Sequence, residues 1–171
     1  MTDRRRLIVM RHAKAEPFGA SDHDRALTER GALAAHDAGL RLAREGLRPD
    51  YVLVSSARRT VDTWAQVESA LAPLTCETHV EDELFSAGPD VLLEALQAVP
   101  PPTGTVLFVG HNPTAAYVCH LLDDGSGDPA ATSGMLQGFP PAAVAVLELT
   151  GEWSDLEVET CRLVGFHVGG S

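Results

Sequence analysis

Two histidines, His12 and His111, each stand just past an apolar run, and arginines accompany them. Arg11 and His12 follow Leu7–Met10. Ser55, Ser56, Ala57, Arg58 and Arg59 follow Tyr51–Val54, and Gly110, His111, Asn112 and Pro113 follow Thr105–Val109. An imidazole with one unprotonated nitrogen is a nucleophile or base near neutral pH. Guanidinium forks match the oxygens of a phosphate or carboxylate. Brought together, these side chains could hold an oxyanion and attack its central atom. Taken singly, each is an ordinary polar residue at a strand end. Arg58 and Arg59 would also oppose the dipole of a helix starting there, a placement that makes sense if an anion sits between them. His23, His36, His79, His120 and His167 show no pairing pattern and read as surface or core residues.

The elements needed to gather these groups are legible. Leu7–Met10, Tyr51–Val54, Thr75–Val80, Thr105–Val109 and Val144–Leu149 read as strands, and Trp153–Glu159 as a returning antiparallel strand. Helices are predicted from Thr28, the N-cap, to Glu45, from Ser56 to Leu71, over Asp90–Ala98, and over Pro113–Leu122. Asp123–Pro141, rich in glycine, proline and serine, reads as a surface excursion. Alternating strands and helices imply an α/β fold: a single three-layer domain over residues 1–171, its central sheet mostly parallel, with helices on both faces. In such sheets ligands bind at the carboxyl ends of the strands, where the histidines and arginines lie. No GxGxxG follows any strand, so a dinucleotide site is not supported.

Composition narrows the chemistry. Thirteen lysines and arginines stand against 24 aspartates and glutamates, a formal net charge of −11. That balance argues against nucleic-acid binding and against docking on anionic lipid. The only lysine, Lys14, precedes Ala15, which removes a Walker-type P-loop. Cys76, Cys119 and Cys161 form no CxxC pair and read as reduced thiols, so a cytoplasmic protein is expected. The apolar run behind the N-terminal arginines is too short for a signal peptide, and none reaches the ~20 residues that span a membrane.

Together the segments resemble the histidine phosphatase superfamily, phosphoglycerate mutase-like, and within it the small SixA-type phosphohistidine phosphatases. LIVMRHAKAE is similar to the first motif, DRALTERG to the Arg-x-Leu-Thr-x-x-Gly segment, VSSARRTVDT to the second-arginine motif, and LFVGHNPTAAYVCHLL to the second-histidine motif. VEDELFSAG resembles the variable third block and ELTGEWSDLE the closing hairpin. The register from Ser55 to Thr63 selects Arg59 over Arg58 as the motif arginine. Ala13 departs from the usual glycine after Arg-His.

The resemblance implies catalysis by His12 as nucleophile with Arg11, Arg59 and His111 around the phosphoryl group. Arg25 and Asn112 are expected to flank the substrate, and Glu83 is the candidate general acid by register. No metal or other cofactor is expected. The implied substrate is a phosphorylated protein of histidine phosphotransfer or phosphocarrier type, since no lid is inserted between Arg59 and His111. A small phosphorylated substrate, handled by a broad phosphomonoesterase at the same site, and an idle phosphate-binding regulatory module are the alternatives.

Overall fold

The computed structural model describes residues 4–171. Six strands form one sheet: β1 (Arg4–Arg11), β2 (Tyr51–Ser55), β3 (Glu77–Glu81), β4 (Thr105–Gly110), β5 (Ala143–Thr150) and β6 (Cys161–Val168). Their order is β3-β2-β4-β1-β5-β6. The first four pair in parallel, while β5 pairs antiparallel with β1 and β6 antiparallel with β5. Five α-helices cover the sheet: α1 (Glu29–Arg44), α2 (Arg58–Leu71), α3 (Pro89–Gln97), α4 (Thr114–Leu122) and α5 (Pro129–Leu136).

The unbroken apolar character of β1 follows from this burial. Leu7 and Val9 join the core that includes residues of α3, α4 and α5, and Ile8 and Met10 join the core against α1 and α2. Successive side chains point to opposite faces, so a strand covered on both sides must be apolar at every position. Because β5 runs antiparallel beside β1, its leading residues meet the carboxyl end of β1. The Ala142 N–H donates to the His12 carbonyl at 3.1 Å, and the His12 N–H to Gly110 at 2.9 Å. His12 is thereby clamped by backbone from both neighbouring strands.

The loop after β1 is fixed by the start of α1. Thr28 caps the helix by accepting from the Gly31 N–H at 2.9 Å. Its own N–H donates to the Lys14 carbonyl at 2.9 Å. Gly31 sits so close to Lys14 that a β-carbon there would lie 2.1 Å from the Lys14 oxygen. The Thr-x-x-Gly spacing is thus a helix cap joined to a close backbone approach.

Several boundaries differ from the sequence reading. The expected antiparallel strand at Trp153–Glu159 is a 3₁₀ turn at Trp153–Asp155, and the strand follows it as β6. Trp153 is buried and donates its indole N–H to the Thr103 carbonyl at 2.8 Å, while Asp155 accepts from the Glu152 N–H. The tryptophan plugs the end of a core, which a strand with outward-pointing neighbours would not allow. The excursion before β5 contains α5, started by Asp128 as N-cap and Pro129 in the first turn. β1 extends back to Arg4 because Arg5, though charged, is buried against Glu152 at 2.8 Å and the Pro101 carbonyl at 3.0 Å.

Gly31→Ala tests the helix–loop junction. Alanine normally gains up to ~1 kcal/mol over glycine inside a helix. Here the clash is with backbone, so overpacking, typically ~1–3 kcal/mol, should win. The expected outcome is a lower urea midpoint, whereas a raised midpoint would show that Lys14 yields freely.

Candidate active site

The carboxyl ends of β1, β2 and β4 and the first turn of α2 place Arg11, His12, Arg59 and His111 together. The rings of His12 and His111 lie 5.4 Å apart, centroid to centroid. Hydrogen bonding settles both tautomers. His12 Nδ1 lies 2.8 Å from the Ala13 carbonyl, which can only accept. Nδ1 therefore carries the proton, and Nε2 keeps its lone pair. His111 Nδ1 lies 3.4 Å from Arg59 Nη2, which can only donate. The remaining nitrogen, Nε2, therefore donates to Ser55 Oγ at 2.7 Å.

Burial, the field of Arg59 and Arg11, and a smaller contribution from Arg25 push His12 down to about 4, against the opposing bond to Ala13. His111 is likewise lowered to about 4 by burial, then Arg59, His12 and Arg11, with Asp22 opposing. Both rings are neutral at pH 7. A neutral His12 keeps a lone pair on Nε2, and an anion that offset the arginines would favour protonation of His111.

The arginines hold donors in reserve. Arg59, 7% exposed, donates to the Asp22 carbonyl at 2.8 Å and faces its carboxylate at 3.4 Å. Arg11 donates Nη1 to the Phe139 carbonyl at 3.1 Å. The Nε of each is buried with no acceptor among the described residues. Unsatisfied buried guanidinium donors are costly unless a ligand supplies oxygens. Arg58 instead turns outward and pairs with Asp62 at 3.5 Å, so the register choice of Arg59 agrees with its placement.

Arg25 stands at the rim, held by Asp22 at 2.9 Å and the Glu16 carbonyl at 3.1 Å. Asn112 braces the site from below: its amide N–H donates to Phe139 at 2.8 Å and its oxygen accepts from the Ala116 N–H at 3.3 Å. Glu83 is not brought to the cluster. It is exposed, in a separate groove beside Tyr51 and Glu94. The residue that the third block delivers instead is Phe85, edge-on to His111 at 5.8 Å, and 5.9 Å from the Arg59 guanidinium. The 3₁₀ turn Asp82–Leu84 sends Leu84 into the core and leaves Glu83 outside.

Ala13 is accommodated without strain, since Ala142 and Glu159 are the non-glycine residues with positive φ among those described. Its N–H donates to Thr63 Oγ1 at 3.0 Å, and Thr63 in turn donates to the Arg59 carbonyl at 2.6 Å. One hydroxyl therefore ties the His12 loop to the helix that carries Arg59.

Asp22, Ser55, Phe85 and His23 escaped the sequence reading as site residues. His23 packs edge-on to Phe85 at 4.9 Å and bonds Ser56 at 3.0 Å. Asp22 had one signal, its place three residues before Arg25. Burial alone would raise its carboxyl, but the charges and hydrogen bonds of Arg59 and Arg25 outweigh that and hold it below the usual carboxylate range. Among the described residues, no group of three or more histidines, cysteines, aspartates or glutamates is gathered as for a metal ion. No described helix is long and apolar enough to cross a membrane.

Residues 7–85 match the histidine phosphatase superfamily (branch 1). A protein of Mycobacterium tuberculosis known only as uncharacterized is 37% identical over 161 residues, 93% of this chain and 99% of that one. A solved structure from Nakamurella multipartitia, described as a proposed phosphohistidine phosphatase SixA, is 34% identical with a TM-score of 0.84, covering 98% of each chain. A proposed SixA from Agrobacterium tumefaciens is 27% identical with a TM-score of 0.79, covering 95% of this chain and 97% of that one.

The depressed histidines have a consequence for stability. Their folded-state values lie below the unfolded value of 6.5, so the fold favours the neutral rings. That stabilisation is complete above pH 6.5 and is lost as pH falls toward about 4. His167, buried beside α1 and lowered to about 4 by desolvation and then Arg41, adds to the same loss. The urea midpoint should therefore drop between pH 7 and pH 4.5. NMR titration should leave His12 unprotonated above pH ~5, and a midpoint near 6.5 for that ring would contradict this electrostatic account.

Proposed function

The chain belongs to the histidine phosphatase superfamily and is a SixA-type phosphatase, and from that premise we propose that it hydrolyses phosphohistidine on a protein through a covalent intermediate on His12. The supporting observation is a neutral His12 with a free Nε2 beside two arginines whose buried Nε donors have no acceptor among the described residues.

In the first step the Nε2 lone pair forms a bond to phosphorus while the bond to the substrate's imidazole nitrogen breaks. The departing ring leaves neutral after taking a proton from solvent. Charge spreads over the equatorial oxygens, where Arg11 and Arg59 donate. His111 takes up a proton as the anion arrives and donates as well. In the second step water attacks phosphorus, the phosphorus–Nε2 bond breaks, and inorganic phosphate leaves with His12 neutral again. Arg25 lends positive potential at the rim, and Asn112 steadies the Phe139 carbonyl that orients Arg11.

The substrate class follows from the missing acid. An alkoxide leaving group needs a proton delivered at the bond being broken, whereas imidazole departs more readily. The third block sets Phe85 against His111, and Glu83 lines a separate groove. Asp22 is held ionised by its arginines and cannot serve as the acid. Only α2, β3, a 3₁₀ turn, α3 and β4 intervene between Arg59 and His111, with no inserted lid to enclose a sugar phosphate. This suits a side chain presented on another protein.

Four measurements test this reading. Wild type should release phosphate from a phosphohistidine protein much faster than from sugar phosphates, and a preference for sugar phosphates would overturn it. Mass spectrometry after acid-free quenching should find one phosphoryl group on His12, absent in His12→Ala. Arg59→Ala should cost roughly 10²–10³-fold in kcat, the usual loss for one transition-state donor. Glu83→Gln should leave phosphohistidine turnover within about twofold, below the 10²–10⁴-fold that positioned acids supply.

A further inference from the structure

A groove of about 550 Å³ opens beside the His12 loop, between α1 and the strand ends of β5 and β6. One wall is a helical stripe that includes Arg30, Leu33 and Ala34, and the other includes Pro141, Ala142 and Gly170. The groove reaches the nucleophile through backbone, since Ala142 bonds His12 directly and Lys14 follows His12 by two residues. Lys14 and Arg30 are both exposed here, and neither has a carboxylate within 4.0 Å among the described residues. The groove's own carboxylate, Asp37, is engaged by the Gly170 N–H at 2.9 Å. Leu33, at the lip, is 67% exposed.

We propose that this groove binds an acidic segment of the phosphorylated partner, adjacent in space to its phosphohistidine. The proposal rests on the phosphohistidine reading for what enters the neighbouring site. Charge complementarity carries it. The chain has a net charge of −11, and yet its single lysine and an arginine with no carboxylate within 4.0 Å among the described residues line this groove beside the His12 loop. An acidic partner meets repulsion over most of this surface and attraction in the groove, which selects orientation as well as identity. The exposed Leu33 supplies apolar contact beside the two charges, so an acidic segment carrying an apolar side chain fits better than a small anion.

The test uses three substrates: free phosphohistidine, a phosphohistidine peptide flanked by glutamate and leucine, and the same peptide flanked by alanine. Wild type at low salt should show roughly tenfold higher kcat/KM on the acidic peptide than on the alanine peptide, a gap that shrinks with added salt. Lys14→Gln/Arg30→Gln should bring the two peptides level, and Lys14→Glu/Arg30→Glu should reverse their order. Free phosphohistidine should be turned over within about twofold by all three proteins, which also reports their folding. Equal rates on both peptides with wild type, or a preference that survives in both variants, would overturn the proposal. Fluorescence anisotropy with the unphosphorylated acidic peptide separates the two readings. If no phosphohistidine substrate is turned over, the substrate reading fails, and loss of peptide binding in the variants still supports the groove. Unchanged binding in the variants overturns it.

Discussion

Two guanidiniums held close to two neutral imidazoles are the constraint on which the site depends. Arg11 and Arg59 are half-buried to buried, and each keeps an Nε donor without an acceptor among the described residues. Such donors are costly to bury, and an anion bound between the two guanidiniums would offset that cost. Their field explains much else here. It helps burial depress His12 and His111, so both rings stay unprotonated near neutral pH. It also explains Asp22, an exposed carboxylate from the loop before α1 that leans between Arg25 and Arg59. Asp22 tempers the repulsion between these cations.

The means of holding the arginines are modest and local. The first turn of α2 has no side-chain cap and no acidic residue, so Arg59 gains nothing from the helix dipole. What fixes it is geometry. Thr63, one turn later, bonds the Arg59 carbonyl and the Ala13 N–H, so the loop bearing His12 and the helix bearing Arg59 cannot move independently. On the other side one carbonyl, that of Phe139, collects both Arg11 and Asn112. The site is thus braced from β5's leading loop as well as from α2, and the antiparallel placement of β5 beside β1 is what brings that loop within reach.

Much of this was legible in the sequence because strand ends are legible. Continuous apolar runs mark strands buried on both faces, and the residues that follow them must lie at one edge of a parallel sheet. That reasoning brings Arg11, His12, His111 and the Arg58-Arg59 pair to one edge, and the family register picks out Arg59 from that pair. It failed where function is carried by backbone or by loops without periodicity. The Phe139 carbonyl has no sequence signature, and Asp22 sits among exposed polar residues whose register is set only by contact with Arg25 and Arg59. The misplaced closing strand has the same origin. Trp153 looks like the start of a strand, but its indole finds the Thr103 carbonyl and the chain must turn around it. Helix α5 carried a readable start in Asp128-Pro129, obscured by the glycines around it.

Glu83 shows most clearly why register alone cannot assign chemistry. It lies in the expected block, two residues from the side chain that does face His111. A 3₁₀ turn rotates about 120° per residue, so a shift of two positions redirects a side chain to a different face. Leu84 is drawn into the core, and that burial fixes the turn's orientation. Phe85 then points toward His111 and His23, and Glu83 toward solvent. An aromatic wall cannot protonate a leaving group, but it excludes water from one side of the site and raises the effective strength of the charges there. The same turn that sends Glu83 outward therefore strengthens the field of the arginines beside His111.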